Sequence, residues 1–410
     1  MTPTALTGPA PRAPDSAYAW WRLALATLIS TVSGVGMWSF VVSLPAVQSD
    51  FGVARADASL AFTLLMVGFA LGSVVMGRVA DRFGIAAAVA LGAVAIALGY
   101  IGAGSARTLA QFAAAHALLG LGTSAGFGPL VSDVSHWFVR RRGIAVGICA
   151  SGNYLAGTVW PPVVQHFVSG EGWRTTHIGI GLFCVTMVLP LALLLRGRPT
   201  LAERETGNHH AAANAVGLSP TALNLLLAVA GVACCVAMAM PQVHLVAYCG
   251  DLGYGVARGA DMLSIMMAFG IVSRVGSGFI ADRVGGLRTL LLGSFLQGVA
   301  LLLYVLFDGL TSLYVISALF GLFQGGIVPS YAIIVREYFS PQETGTRLGI
   351  ILMATLFGMA LGGWLSGLIF DVTGSYRAAF LNGMAWNFVN VAIAIWLIAR
   401  PGRRATAAAV

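Results

Sequence analysis

Gly77-Arg-Val-Ala-Asp-Arg-Phe-Gly84 and Gly278-Phe-Ile-Ala-Asp-Arg-Val-Gly-Gly286 are two versions of one short charged turn, each set between apolar runs. A shift of 201 residues carries the first onto the second, 77 onto 278. The same shift places Asp50 on Asp251, Gly52 on Gly253, Gly92 on Gly293 and Gly120 on Gly321. Ala80-Asp81-Arg82 falls on Ala281-Asp282-Arg283. Matches of Gly and Ala arise easily in a chain rich in both. A charged triplet flanked by paired glycines in one register does not, so the chain is a duplicated unit. With small slips, Gly143 and Gly147 match Gly345 and Gly349, and Trp173-Arg174 matches Tyr376-Arg377.

The apolar runs around those turns settle the class. Of 410 residues, 58% are hydrophobic and 9% charged, and mean hydropathy is +0.86. A soluble domain carries roughly 25% charged residues. This chain cannot cover itself with a wettable surface, which excludes soluble, disordered, collagenous and secreted disulfide-rich classes. Runs long enough to span, about 20 residues each, read 20–47, 58–80, 85–105, 108–138, 143–168, 174–195, 220–247, 260–281, 288–307, 311–338, 345–370 and 376–399. The expected fold is an all-α membrane protein of twelve transmembrane helices in two six-helix pseudo-repeats. Its expected parts are a cytoplasmic tail (1–19), an N-terminal half (20–195), a cytoplasmic linker (196–219), a C-terminal half (220–400) and a second tail (401–410).

All 23 basic residues are arginine, and the formal net charge is +8. The arginines sit in short clusters between spans rather than on a basic face, so nucleic acid is not an expected partner. With both termini inside, five (Arg55, Arg107, Arg174, Arg258 and Arg377) fall in outside loops, Arg274 falls within a span, and the other seventeen fall on the cytoplasmic side. That bias orients the chain. The five cysteines have no metal-ligand spacing and read as packing thiols. No metal or cofactor is expected. Gly122-Thr-Ser-Ala-Gly126 matches a hydrolase pattern, but that pattern needs a strand–turn–helix elbow, and here it lies mid-span. An enzyme is not expected. A membrane receptor would ordinarily carry a soluble signalling domain, and the tails are short.

With the two turns and the twelve runs in place, the chain resembles the major facilitator superfamily, whose signature loop G-x-x-x-D-R-x-G stands at these two positions. The resemblance implies a secondary transporter with alternating access and a substrate path between the halves, near the midplane. It implies gating roles for Gly77, Asp81, Arg82, Gly278, Asp282 and Arg283. The glycines would let helices approach, the aspartates would bond a helix N-terminus, and the arginines would pair with acidic groups. Together they would latch the cytoplasmic side while the cavity faces outward.

Arg274, in Ala268-Phe-Gly-Ile-Val-Ser-Arg-Val-Gly-Ser-Gly278, is read as the one cation within the spans. A charge at helix centre costs roughly 2.5–3.5 kcal/mol on insertion scales and should face a cavity or a partner. Its planar fork matches a carboxylate. An arginine in this span followed by G-x-x-x-D resembles the monocarboxylate transporters and oxalate/formate exchangers, where it binds the substrate carboxylate. Phe51-Gly-Val-Ala-Arg55 likewise resembles the F-G-W-S-R stretch of bacterial members. Three departures bear on substrate. Animal carriers have an Asp one turn earlier, where this chain has Gly270. They use a Lys in span 1, where it has Gly34, Gly36 and Trp38. Oxalate exchangers have a second cation in span 11, absent from Met353–Gly363. One cation suits one carboxylate.

Asn153 and Tyr154 stand near mid-depth in span 5. With Gln324 and Tyr331, they complete the expected substrate set around Arg274. His244 and Asp133 are the candidates for proton coupling, with Asp133 otherwise expected to pair with Arg82 or Arg140–Arg142. The expected function is transport of a small organic anion, a monocarboxylate, with a proton, by a monomer in a bacterial inner membrane. The alternatives are an organic anion exchanger or an exporter of amphipathic drugs or metabolites. Span 5 keeps the glycines of drug antiporters but lacks their G-P pair.

Overall fold

The structure, a computed structural model, describes residues 14–139, 141–197, 217–340 and 343–400, with the side chain of Arg142 left out. Both outer tail segments (1–13 and 401–410) and most of the expected linker (198–216) lie outside the described residues, as does Arg140. The described chain is helical throughout. The N-terminal half is built of α1 (Ala17–Ser33), α2 (Val35–Phe51), α3 (Arg55–Phe83), α4 (Ile85–Gly104), α5 (Leu109–Ser124), α6 (Gly128–Trp137), α7 (Arg142–Ala150) and α8 (Gly152–Leu194). The C-terminal half comprises α9 (Pro220–Asp251), α10 (Val256–Val284), α11 (Gly286–Leu306), α12 (Leu310–Gln324), α13 (Ile327–Tyr338), α14 (Thr344–Thr373) and α15 (Tyr376–Ala399).

Ten stretches are long and apolar enough to cross a membrane. One of these, Gly143–Leu194, holds two crossings, because Gly172 at φ 78° turns the chain inside α8. Splitting it and adding α5–α6 gives twelve crossings, the number read from hydropathy. Large apolar side chains such as Leu71, Leu98, Phe295 and Phe388 are exposed on the flanks. On a soluble protein so broad an apolar surface would aggregate. Here it faces lipid.

Local signals place the ends. Ser16, Thr108 and Ser219 accept hydrogen bonds from the backbone N–H groups of Ala19, Gln111 and Ala222 (3.2–3.3 Å), supplying the missing acceptors of a first turn. Gly52 ends α2 at φ 62°, and Gly374 ends α14 at φ 65°, both left-handed conformations that glycine adopts without strain.

The duplication is visible atom by atom. Gly84 and Gly285 both carry positive φ (90° and 84°) at the signature turns. A Cβ on Gly120 would overlap the Leu65 carbonyl, and one on Gly321 the Met266 carbonyl. Leu65 and Met266 are themselves related by the repeat. Each glycine lets α5 or α12 lie against the backbone of α3 or α10. Gly120→Val or Gly321→Val is therefore expected to cost at least about 1–3 kcal/mol through overpacking, since backbone cannot step aside. The check is loss of monodisperse protein from detergent extracts, with Gly77→Val as a control that folds.

Four spans are not continuous. Breaks fall at Gly34, at Ala125–Phe127, at Ser151 and at Gly325–Gly326. Hydropathy shows none of them, because the flanking residues are apolar on both sides. At Gly34, Ser151 and Gly325 the N–H still reaches the carbonyl four residues earlier, so these are local kinks; interrupted spans build substrate sites in membrane transporters.

The halves meet chiefly where α3 packs against α14 and α8 against α10, with α2 also touching α9 and α10. We call the end where α1 begins and α15 finishes the linker end, and the opposite one the far end. At the far end the halves are tied. At the linker end Asp81, Arg82, Asp282 and Arg283 are exposed. None of the five ion pairs among the described residues includes them.

Candidate functional site

Three of the breaks lie against α8 or α10. At the first, Gly34 packs on α8, where a Cβ would come 3.6 Å from Asn153 Oδ1. At the second, Ser151 separates α7 from α8. At the third, Gly325 and Gly326 press on Ser273 and Ser277 of α10. Arg274 lies among them and reaches across to the other half. Its Nη1 donates to the Ala150 carbonyl at 3.1 Å, at the negative end of α7. Its guanidinium carbon stands 4.4 Å from the centre of the Tyr154 ring, a cation–π contact. Its Nε is buried with no hydrogen-bond partner among the described residues. No carboxylate pairs with it there.

Arg274 is not the one buried arginine, as the sequence suggested. Arg22 in α1 is fully buried, and Arg55 at the start of α3 is 7% exposed. Both have carboxylate partners, and Arg274 has none. The guanidinium thus keeps its full charge, and one of its N–H groups lacks an acceptor among the described residues. That is the chemistry of a site for one planar anion.

Tyr154 supplies one wall. It explains Gly270 too, since a Cβ there would overlap the Tyr154 ring. An acidic residue cannot stand at position 270 while Tyr154 occupies that space. Asn153 is beside the site, its Nδ2 3.7 Å from Met37 Sδ and its carbonyl bonded by Trp38 Nε1 at 3.2 Å. Above it, Gly157 packs between Trp38 and Met267. Arg274 and Tyr154 are therefore brought together, whereas the Asn153 side chain turns toward Met37 and Gly34 within the N-terminal half.

The other expected site residues are placed differently. Gln324 is buried and accepts from Gln242 at 2.8 Å, tying α12 to α9. Its own Nε2 has no partner among the described residues. It stands next to the Gly325 break that packs on Gly270, one layer behind Arg274. Tyr331 does not face the axis. It is fully buried inside the C-terminal half, where its hydroxyl donates to Asn390 Oδ1 at 3.3 Å. Asn390 and Asn387 in turn donate to Ser294. This polar network joins α13, α15 and α11 and has no contact with Arg274.

Asp133 pairs with neither Arg82 nor Arg141. Its oxygens accept from Arg22 Nε at 2.8 Å and Nη2 at 3.0 Å, and Arg22 lies 4.7 Å from the Trp137 ring. Arg22 was counted as cytoplasmic because the start of span 1 reads as a tail end. The helix begins earlier and carries it inward.

His244 is fully buried in α9. Its Nε2–H donates to the Gly363 carbonyl at 2.7 Å, and its Nδ1 has no partner among the described residues. Its ring centre is 5.8 Å from that of Tyr376.

The signature turns also depart from expectation in part. The first turn of α11 is capped by Glu337, which accepts from Gly286 N at 3.0 and 3.2 Å, and not by Asp282. A Cβ on Gly77 or Gly278 would meet nothing within 4 Å. The same holds for Gly143, Gly147, Gly345 and Gly349. These repeat-related glycines all lie toward the linker end of α3, α7, α10 and α14, and there is open space where a Cβ would stand.

The tie at the far end was missed by sequence reasoning. Arg55, at the start of α3, donates through Nη1 to Asp251 and to the Tyr376 hydroxyl, both in the other half. Its Nε donates to Gln48 at 2.9 Å. Asp371, also in the other half, accepts from the backbone N–H groups of Arg55 (3.0 Å) and Ala56 (2.7 Å). Below this layer, Thr63 donates to the Ala360 carbonyl at 3.1 Å, and Phe62 fits against Gly363. The pairing of Asp50 with Asp251 in the repeat marked the position, but no local pattern names a partner so distant in sequence.

Comparison with known proteins follows the same lines. The Major Facilitator Superfamily family model matches residues 26–312 and 275–409. Monocarboxylate transporter 13 of Bos taurus is 28% identical over 387 residues, covering 94% of this chain and 90% of that protein. Monocarboxylate transporter 11 of Homo sapiens is 27% identical over 400 residues, covering 92% and 82%. The uncharacterized MFS-type transporter YcxA of Bacillus subtilis (strain 168) is 26% identical over 368 residues, covering 85% and 88%. Among solved structures, a bacterial homolog of the human lysosomal transporter Spinster, inward-facing and occupied, aligns with TM-score 0.69 and 16% identity over 94% of this chain and 95% of that one. The nucleoside transporter NupG aligns with TM-score 0.71 and 15% identity over 93% and 99%. These two are likenesses of fold.

Proposed function

The chain belongs to the Major Facilitator Superfamily, and from that premise we propose that it carries a small organic monocarboxylate across the membrane together with a proton. It is a membrane transporter and not an enzyme. The observation that carries the substrate class is Arg274: a guanidinium of the C-terminal half that bonds the N-terminal half, with a buried Nε and no carboxylate partner among the described residues. The similarity to monocarboxylate transporters supports the same class. An exporter of amphipathic cations would want an acid there, and Asp133, the nearest candidate from sequence, is held by Arg22.

The substrate carboxylate binds the Nε edge of Arg274. The Tyr154 ring holds the guanidinium flat, and Asn153 supplies a polar contact from the N-terminal half. Transport proceeds by alternating access. The arginine bias supports a cytoplasmic linker end; on that reading, the far-end tie closes the outside and the exposed signature charges leave the inside unlatched. In the opposite state the bare glycines of α3, α7, α10 and α14 come into contact. Asp81, Arg82, Asp282 and Arg283 then latch the cytoplasmic ends. His244 is the proton-coupling candidate, because its free Nδ1 lies behind the far-end tie. The setting is a bacterial inner membrane and the unit a monomer.

Counterflow of labelled acetate, lactate and pyruvate in proteoliposomes tests the reading, and accumulation of at least one against its neutral amide is expected. An inward acid gradient should raise that uptake, and His244→Gln should flatten its pH dependence. If no carboxylate exchanges, the substrate class is wrong. If pH dependence survives in His244→Gln, the proton travels elsewhere.

A further inference from the structure

We infer that Arg55 and the first turn of α3 form a second carboxylate site at the far-end mouth, where an arriving substrate displaces the chain's own Asp251 and Asp371. This rests on the transport reading above but concerns different residues.

The N-terminal half presents two carboxylate cradles side by side. One is the Arg55 guanidinium, 7% exposed, bonded by Asp251 and Tyr376 and lying 4.5 Å from the Phe370 ring. The other is the pair of backbone N–H groups of Arg55 and Ala56, each bonded by a separate oxygen of Asp371. The residue before α3, Ala54, offers no side-chain cap. The free N–H groups of that turn thus depend on a carboxylate from the other half. In this structure both cradles are filled, and both occupants are carboxylates.

Every one of those occupants belongs to the C-terminal half. When the far end opens, α3 must part from α9, α14 and α15. Arg55 then keeps Gln48 (2.9 Å) and loses Asp251, Tyr376 and Phe370 together. A guanidinium and two N–H groups, previously satisfied by anions, come to face the outer mouth. A planar carboxylate restores what they lost. The repeat shows that the device is one-sided, because the shift of 201 places Val256 opposite Arg55.

Competition follows from geometry. A monocarboxylate outside binds only after Asp251 or Asp371 leaves, so it stabilises the opened gate. A chloride is one acceptor atom and cannot place a separate oxygen on each N–H, as Asp371 does.

The test reports gate opening directly. Ser59 is fully buried beneath Arg55, and the chain's own five cysteines are buried. Ser59→Cys in proteoliposomes is alkylated by an impermeant maleimide only when the far end opens, with the unsubstituted chain as background. Acetate, lactate and pyruvate are the probes, against chloride at equal ionic strength and against lactamide. At least one carboxylate should accelerate labelling several-fold, and chloride and lactamide should not. In Asp371→Asn the half-maximal carboxylate concentration should fall, by about tenfold if one competing bond is removed. Arg55→Gln should label fast regardless of anion. The acceleration must survive in Arg274→Ala, where transport is lost, because it belongs to the mouth and not to the central site. If no carboxylate accelerates labelling while counterflow of that carboxylate is normal, the mouth site is wrong and the transport reading stands. If the acceleration disappears in Arg274→Ala, the anion acts at the central site and the inference fails.

Discussion

Arg274→Ala is expected to abolish counterflow of the transported carboxylate while the protein still inserts and elutes as a monodisperse species. Truncating one partner of a close charge pair costs about 2–5 kcal/mol, which is about 30- to several-thousand-fold in affinity. Little in the structure offsets that loss. The Ala150 carbonyl takes one N–H of the guanidinium and Tyr154 takes one face, and neither group carries a positive charge. Insertion should not suffer, since removing a charge from a span makes it easier. Arg274→Lys should fall between the two. An ammonium keeps the charge but cannot hold Ala150 and a carboxylate with one rigid plane. Wild-type rates in Arg274→Ala would reduce the residue to a brace between α10 and α7.

Asp133→Asn is expected to do the opposite, removing folded protein rather than function. Arg22 is completely buried, and its two bonds to Asp133 are its only carboxylate contacts among the described residues. Breaking one side of a buried pair leaves an uncompensated charge, at about 3–5 kcal/mol. The Tyr18 hydroxyl, 3.4 Å from Nη1, and the Trp137 ring cannot replace a carboxylate. The double change Arg22→Met with Asp133→Leu should recover much of the folded yield, as apolar replacements of buried pairs do. Thermal midpoints in detergent for the single and double variants decide this. A normally folded Asp133→Asn with flattened pH dependence of uptake would make Asp133 the proton carrier instead.

The signature turns, the duplication and the count of crossings were legible because they are local or periodic: a charged turn at Gly77–Gly84, its copy at a fixed shift, and apolar runs of spanning length. Arg274 was legible for a related reason, since an unpaired arginine in a long apolar run is costly without a role. Arg55 was not. Its partner Asp371 lies 316 residues away, and a charged residue at the mouth of a span reads as part of a loop. Arg22 was misread because the helix starts within a segment whose composition resembles a tail. The helix breaks at Ser151 and Gly325 escaped because apolar residues continue across them, yet they supply the Ala150 carbonyl and the close approach beside Gly270. Tyr331 shows the converse error. A tyrosine at mid-depth looked like a ligand, and its hydroxyl is instead bound within the C-terminal half.

The central claim is that one guanidinium on the axis recognises one carboxylate, and equilibrium binding to purified protein measures this most directly. The transported monocarboxylate and its neutral amide are each titrated against the wild-type chain and against Arg274→Ala. The account predicts that wild type prefers the acid over the amide by about 30-fold or more, and that the variant binds the two alike. Equal affinity for acid and amide in the wild type, or an undiminished preference in the variant, would contradict it.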